Sequence, residues 1–191
     1  MNIYIQRILA LDIAGSPSEW ISLKQAGHYY ASDLIAWAPG TTEFVLHGGR
    51  KHTGAQSTIR VSSIVAIKGK DFMVRNFNRV PGVSKEMLLR RDRFVCAYCA
   101  QRFREKDLEI EHILPSSRGG RDTWMNLVSA CGACNDRKRD RTPEEAGMKL
   151  HYIPYVPNRY ETFILRGRNI LTDQMQFLLQ GVSKESRLHG A

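Results

Sequence analysis

Four cysteines in two matched pairs are the feature that most limits how this chain folds. They are the only cysteines among its 191 residues, and they occur as Cys96-x-x-Cys99 and Cys131-x-x-Cys134. Each short turn aims two thiolates at one point, and two such turns supply the four sulfur ligands that a structural Zn²⁺ prefers. A redox-active pair or disulfides are the competing interpretations, but neither explains a matched second pair. We therefore predict a four-cysteine zinc site.

The composition is that of a globular and strongly basic protein. Its 42% hydrophobic and 25% charged residues argue against general disorder, and its formal net charge of +9 favours polyanionic partners such as nucleic acid. The longest stretch without Asp, Glu, Lys or Arg is residues 123–135, shorter than the ~20 apolar residues of a membrane-spanning helix. Arg7 and Asp12 interrupt the N-terminal segment before it forms an apolar stretch as long as that of a signal peptide. We expect a cytoplasmic protein without a membrane partner.

Changes of pattern along the chain predict three segments. Residues 1–80 read as a small α+β region of unassigned role, in which strand-rich stretches alternate with Gly-rich breaks. Pro81-Gly82 marks a joint, and residues 83–150 are predicted to form the zinc-stapled domain. Residues 151–191 are predicted to be a C-terminal helical extension.

Capping patterns predict where several helices begin. Ser22 is placed to cap a helix that runs to about Ala31, and Ser84 to cap one that leads into the first cysteine pair. Thr142-Pro143-Glu144-Glu145 reads as a capping box that opens a helix to about Lys149. A last helix is expected near Thr172 to Gln180.

The segment between the cysteine pairs carries a carboxylate and an imidazole side by side. Residues 108–115 alternate as a half-buried strand does and include Glu111 and His112 just before the sequence stops at a proline. A Gly-Gly loop and a second strand candidate follow, so we predict a β-β-helix hairpin. The helix after the second cysteine pair would place Asn135, Lys138 and Arg139 on one face by their spacing.

Five motifs in order give this segment a specific resemblance. They are Cys-x-x-Cys, Glu-His-Ile-Leu-Pro, Arg-Gly-Gly, Trp-x-Asn-Leu and Cys-x-x-Cys-Asn, with Lys138 after the last. Residues 85–146 resemble the HNH endonucleases, in the branch whose ββα-metal (His-Me finger) core is stapled by a four-cysteine zinc. The flanking segments are similar to those of bacterial stand-alone members. The resemblance implies an α+β protein with this core preceded by a small α+β region and followed by C-terminal helices.

The resemblance also implies roles for four residues. His112 would be the general base, and a neutral imidazole suits that role because it titrates near working pH. Glu111 and Asn135 would be oxygen ligands of a catalytic Mg²⁺ or Mn²⁺. Asn126 would hydrogen-bond across the hairpin to support the His112 loop. Many members carry Asp in place of Glu111, and Glu109, on the same strand face, is an alternative ligand.

Basic side chains near this segment are candidates for contacts with nucleic acid. They are Arg118, Arg121, Arg137, Lys138 and Arg139, with Arg141 as a further candidate. Such residues position the phosphate backbone and carry no sequence information by themselves. A solvated charged face is the alternative interpretation for about half of them.

The function predicted from the sequence is that of a metal-dependent DNA endonuclease that hydrolyses phosphodiester bonds. One alternative is a non-catalytic zinc-ribbon module that binds nucleic acid or protein, but it leaves Glu111, His112, Asn126 and Asn135 unexplained. Another is a ribonuclease of the same fold, because phosphodiester hydrolysis does not by itself distinguish RNA from DNA.

Overall fold

A computed structural model describes residues 6–50, 52, 54–69 and 80–190, and the chain divides into two compact units. The first takes its described residues from Met1–Arg79 and Arg166–Gly181, and the second from Val80–Leu165 and Val182–Ala191. Both units mix strands and helices, which confirms the α+β class predicted from the sequence. In the part of the chain that is described, no helix combines the length and apolar character needed to cross a bilayer.

The first unit is built on a four-stranded sheet and a separate hairpin. Its strands are β1 (Arg7–Leu11), β2 (Pro17–Ser22), β3 (Ile35–Trp37), β4 (Glu43–Arg50), β5 (Gln56–Ser62) and β6 (Ile64–Ile67). The sheet has the order β2-β1-β6-β3, in which β1 and β6 are parallel and the outer pairings are antiparallel. The two central strands bury nearly all their side chains, as strands covered on both faces do. Strands β4 and β5 form the hairpin.

Helix α1 (Leu23–Ala31) begins where the sequence predicts it. The Ser22 hydroxyl accepts a hydrogen bond from the backbone N–H of Gln25, and the Gln25 side chain accepts one from the backbone N–H of Ser22. This reciprocal pair is the capping box that satisfies two otherwise unpaired backbone donors. Gly27 lets the helix lie directly on Leu46 of β4, where a Cβ atom would collide with that side chain.

The second unit contains the predicted β-β-helix arrangement. Its main elements are α2 (Lys85–Arg91), β7 (Leu108–His112), β8 (Leu127–Cys131), α3 (Gly132–Lys138) and α4 (Arg159–Arg166), although Arg166 itself falls in the first unit. Strands β7 and β8 are antiparallel, and α3 follows β8 without a loop. The Ser84 hydroxyl caps α2 by accepting from the N–H of Met87, as predicted. This hairpin and α3 form the ββα core expected of the fold.

A buried ion pair ties α2 to the hairpin. Arg91 and Asp92 have fully buried side chains, with Nε of the arginine 2.8 Å from Oδ1 of the aspartate. The guanidinium also donates to the carbonyls of Trp124 and Leu127, at 2.6 and 2.8 Å, and Asp92 Oδ2 accepts from the N–H of Ser129 at 2.8 Å. Because every charge is matched by several hydrogen bonds, the pair fixes the position of β8 and of the loop before it.

The C-terminal segment is shared between the units. Helix α5 (Thr172–Gln180) has the bounds predicted from the sequence, and it belongs to the first unit. The Gln174 side chain donates to the carbonyls of Arg7 and Ser63, at 2.9 and 2.8 Å, which ties the helix to the ends of β1 and β6. Residues 151–191 therefore do not form one extension.

The helix predicted from Thr142 to about Lys149 is wrong. The capping contacts are present, since the Thr142 N–H donates to the Glu145 carboxylate at 3.0 Å, but the segment forms only turns. Gly147 adopts a φ of +64°, and the N–H of Met148 donates to the carbonyl of Pro143. The chain therefore reverses after a single turn, and one turn does not repay the cost of helix nucleation.

Candidate functional site

The four cysteines come together as their spacing predicts. Cys96 and Cys99 lie in the tight turn after α2, Cys131 is the residue that precedes α3, and Cys134 lies within that helix. Their Sγ atoms all lie within 4.8 Å of one another. Sulfurs around one Zn²⁺ are about 3.8 Å apart, given a Zn–S distance of about 2.3 Å and tetrahedral geometry. The cluster therefore fits a closed zinc site after a small contraction.

The surroundings of Cys96, Cys99 and Cys134 shift the pKa of their thiols in different directions. Burial acts to raise the pKa of Cys96, but hydrogen bonds from the backbone of Cys131, Cys99 and Tyr98 outweigh it and lower that pKa. Burial raises the pKa of Cys99 and Cys134, and the neighbouring sulfurs add to the effect. Four close thiolates without a cation repel one another, so the cluster is an arrangement that a divalent metal stabilises.

Helix α3 lies against the face of β7 that carries two glutamates. Lys138 is fully buried, and its Nζ lies 2.6 Å from Oε1 of Glu111. One turn earlier, the side-chain amide of Asn135 donates to Oε2 of Glu109, also at 2.6 Å. Glu109 and Glu111 share a strand face because they are two residues apart, and Asn135 and Lys138 share a helix face because they are three apart. The two pairs therefore align along the seam between β7 and α3.

The burial of Lys138 changes its role from the one expected from the sequence. A side chain with no exposed surface does not reach a phosphate group, and its ammonium is occupied by the Glu111 carboxylate. The sequence spacing correctly placed Lys138 on the same face of α3 as Asn135. It did not predict that this face packs against the glutamates of β7. Arg139 does not share this face, because α3 ends at Lys138 and Arg139 adopts a φ of +54° beyond it.

Glu111 and Asn135 each keep one side-chain oxygen of the type that a divalent cation binds. Lys138 occupies Oε1 of Glu111, and Glu109 binds the amide nitrogen of Asn135, so within the described chain Glu111 Oε2 and Asn135 Oδ1 have no hydrogen bond. Carboxylate and amide oxygens are hard ligands suited to Mg²⁺ or Mn²⁺. Among the described residues, only the cysteines bring three or more His, Cys, Asp or Glu ligand atoms together.

His112 ends β7, and its imidazole reaches the surface. Its side chain is 25% exposed, and Nε2 lies 2.7 Å from Oδ1 of Asp122, a carboxylate in the loop between β7 and β8. No sequence pattern singled out Asp122, because a loop aspartate ten residues from the histidine carries no periodic signal.

Asn126 holds the two ends of the β7–β8 loop together. Its Oδ1 accepts from the N–H of Leu114 at 2.9 Å, and its Nδ2 donates to the carbonyls of Leu114 and Arg121, both at 3.1 Å. In addition, the N–H of Ile113 donates to the backbone carbonyl of Asn126. One side chain thereby fixes the backbone immediately after His112 against the far end of the loop.

Gly120 is predicted to be essential for this loop. A Cβ atom at this position would overlap the carbonyl oxygen of Leu114 and lie 2.9 Å from Nδ2 of Asn126. We expect Gly120→Ala to lower the free energy of unfolding by about 1–3 kcal/mol, because backbone must move to make room. Gly132→Ala is the matched control, since a Cβ there meets nothing within 4 Å. Equal melting temperatures for the two variants, measured by circular dichroism, would contradict this account.

The basic residues near the site fall into two groups. Lys138 is buried, and Arg118 pairs with Glu145, with 2.6 Å between Nη1 and Oε2. Arg121, Arg137 and Arg139 are exposed and form no ion pair with another described residue. Of the basic residues predicted to contact nucleic acid, these three arginines therefore stay candidates.

Comparison with known families agrees with this geometry. Residues 96–151 match the family model described as HNH endonuclease, a range that includes both cysteine pairs, the β7–β8 hairpin and α3. The comparison with curated proteins gives no significant match. The family is one of nucleases, which cleave phosphodiester bonds, and its fold is the ββα-metal fold found in the second unit. Over residues 96–151, this chain is therefore similar to the HNH endonuclease family.

Proposed function

We propose that the second unit is a metal-dependent endonuclease that hydrolyses phosphodiester bonds in DNA. The observation that carries this proposal is the end of the β7–β8 hairpin. There a partly exposed imidazole directly follows Glu111, whose Oε2 is available on the seam with α3. A non-catalytic zinc module requires none of these residues in this arrangement.

In this proposal His112 is the general base. Its imidazole takes a proton from a water molecule, the water oxygen forms a bond to phosphorus, and the bond from phosphorus to the departing 3′ oxygen breaks. The partial exposure of the side chain lets it reach both water and a docked phosphate. Asn126 would keep the imidazole in place by fixing the backbone two residues further on.

Glu111 and Asn135 would hold the catalytic Mg²⁺ or Mn²⁺ through Oε2 and Oδ1. When bound, such an ion supplies charge neutralisation on the phosphate and on the departing oxygen. Lys138 and Glu109 would keep the two ligand side chains in fixed rotamers, because each already binds the other polar atom of its partner. Glu109, the alternative ligand considered from the sequence, would then act through Asn135.

We further propose Zn²⁺ at the four cysteines and exposed arginines as the phosphate contacts. The zinc would close the turn that contains Cys134, and Asn135 is the next residue, so the structural metal would position a catalytic ligand. Arg121, Arg137 and Arg139 would bind the backbone of the nucleic acid, and the net charge of +9 would favour its approach.

The test is cleavage of supercoiled plasmid DNA by the purified chain. We expect nicked or linear products with Mg²⁺ or Mn²⁺ and none with EDTA, and the same assay on RNA of matched length compares the two sugars. Faster cleavage of RNA would indicate the ribonuclease alternative. Binding of DNA without cleavage by any of several divalent ions would indicate the non-catalytic zinc module.

Asn135→Ala is predicted to weaken binding of the catalytic metal. The variant removes one of two protein oxygens, so the concentration of Mn²⁺ that gives half-maximal cleavage should rise by about tenfold or more. Gln101→Ala removes an exposed amide elsewhere in the same unit and should leave the titration unchanged. A titration of Asn135→Ala that overlays the wild-type curve would show that Asn135 is not a ligand.

A further inference from the structure

A carboxylate accompanies the imidazole at the end of β7. Oδ1 of Asp122 lies 2.7 Å from Nε2 of His112, a distance typical of a strong hydrogen bond. An ionised carboxylate only accepts hydrogen bonds, so this contact requires that Nε2 carry the proton. In a neutral imidazole the other nitrogen is then unprotonated. The geometry therefore leaves Nδ1 of His112 as the nitrogen that takes up a proton.

The loop holds Asp122 in place from both sides. The carbonyl of Arg121 accepts from the side chain of Asn126 at 3.1 Å. The carbonyl of Thr123 accepts from the backbone N–H groups of Asn126 and Leu127, each at 3.0 Å. Asp122 thus lies between two anchored peptide groups, on the hairpin end that also fixes the backbone after His112. Its approach to the imidazole is a property of the folded loop, although its side chain is 82% exposed.

We propose that Asp122 is a positioning residue for His112. It accepts the Nε2 proton, which fixes the tautomer and the ring orientation in which Nδ1 faces the attacking water. The carboxylate also stabilises the imidazolium that forms when Nδ1 receives the proton of that water. This inference rests on the proposed function, because it takes His112 as the base, and it adds a residue that the family resemblance does not include.

Two substitutions separate hydrogen bonding from charge. Asp122→Ala and Asp122→Asn both remove the negative charge, but only the asparagine keeps an oxygen that accepts the Nε2 proton. We expect Asp122→Ala to lower kcat by about 10–100-fold. KM should stay constant or fall, because a carboxylate near the phosphates is lost. Asp122→Asn should recover only part of kcat, because it restores the hydrogen bond but not the charge that stabilises the imidazolium. Glu105→Ala, which removes another exposed carboxylate of the same unit, should match wild type.

A second measurement does not depend on cleavage. Nitrogen-15 NMR of the full zinc-loaded chain, at a pH where imidazoles are neutral, reports which nitrogen of His112 carries the proton. We expect a protonated Nε2 and an unprotonated Nδ1 in wild type and Asp122→Asn, and loss of the hydrogen-bonded Nε2 proton signal in Asp122→Ala. The His112 signals are assigned by their absence from His112→Ala.

The two measurements distinguish failure of this inference from failure of the proposed function. A wild-type chain that cleaves no nucleic acid with any divalent ion contradicts the proposed function. An active wild type whose kcat equals that of Asp122→Ala contradicts the role of Asp122 alone. Protonation of Nδ1 in wild-type His112 also contradicts the proposed role of Asp122.

Discussion

Replacing His112 by alanine is expected to lower the rate of DNA cleavage by about 10²–10⁴-fold. The variant removes the only group that, in the proposed mechanism, takes the proton from the attacking water. The fold and the zinc content should be unchanged, because the side chain is 25% exposed and, within the described residues, its hydrogen bond is to the more exposed Asp122. Single-turnover cleavage with saturating metal measures the chemical step directly.

A matched control is available in the same unit. His151→Ala removes an exposed imidazole and keeps the backbone N–H that donates to the carbonyl of Ala97, so the variant should cleave at the wild-type rate. Zinc content and melting temperature should be equal in all three proteins. Activity of His112→Ala within a few-fold of wild type would remove His112 from the mechanism.

Replacing Cys131 by serine is expected to unfold the core of the second unit. The loss of one thiolate opens the cluster, and apparent zinc-binding free energies of about 10–16 kcal/mol in zinc-finger peptides are also folding free energies. We expect the zinc content to fall from about one ion per chain to near zero, with loss of thermal stability and of cleavage. Metal analysis and calorimetry of the same preparation give both quantities.

Two comparisons make this prediction specific. Ala133→Ser places a serine on the exposed side of the same turn and should retain zinc and stability. Brief treatment of wild type with EDTA should remove the catalytic ion first and be reversed by Mg²⁺ or Mn²⁺, whereas prolonged stripping of zinc should resist rescue by those ions. A stable, active Cys131→Ser protein without zinc would show that the cysteine cluster is not the structural centre.

Local signals in the sequence predicted the elements that local chemistry controls. The cap at Ser22, the cap at Ser84 and the bounds of α5 are confirmed, because capping and hydrophobic periodicity act within a few residues. The helix predicted after Thr142 is wrong although its capping contacts form. Gly147, with its positive φ, ends the segment after one turn, and the capping contacts alone do not extend it into a helix.

Local signals in the sequence did not predict which side chains of different helices and strands contact one another. The spacing of Asn135 and Lys138 put both on one face of α3, but it did not show that Glu109 and Glu111 lie opposite. It therefore assigned Lys138 to phosphate binding, whereas the folded chain buries it. Asp122 gave no signal at all, since its contact with the imidazole depends on how the loop returns.

The sequence by itself determined the cysteine cluster, the β-β-helix order and the HNH motif. Each depends on residue types at short, fixed spacings along the chain, and these spacings do not depend on tertiary structure. Tertiary structure alone decided that Arg91 is buried against β8, that residues 166–181 belong to the first unit, and that each candidate ligand has its own partner. These contacts join residues far apart in the chain, and the free energy of burying a charge depends on the partner it meets, which no local pattern encodes.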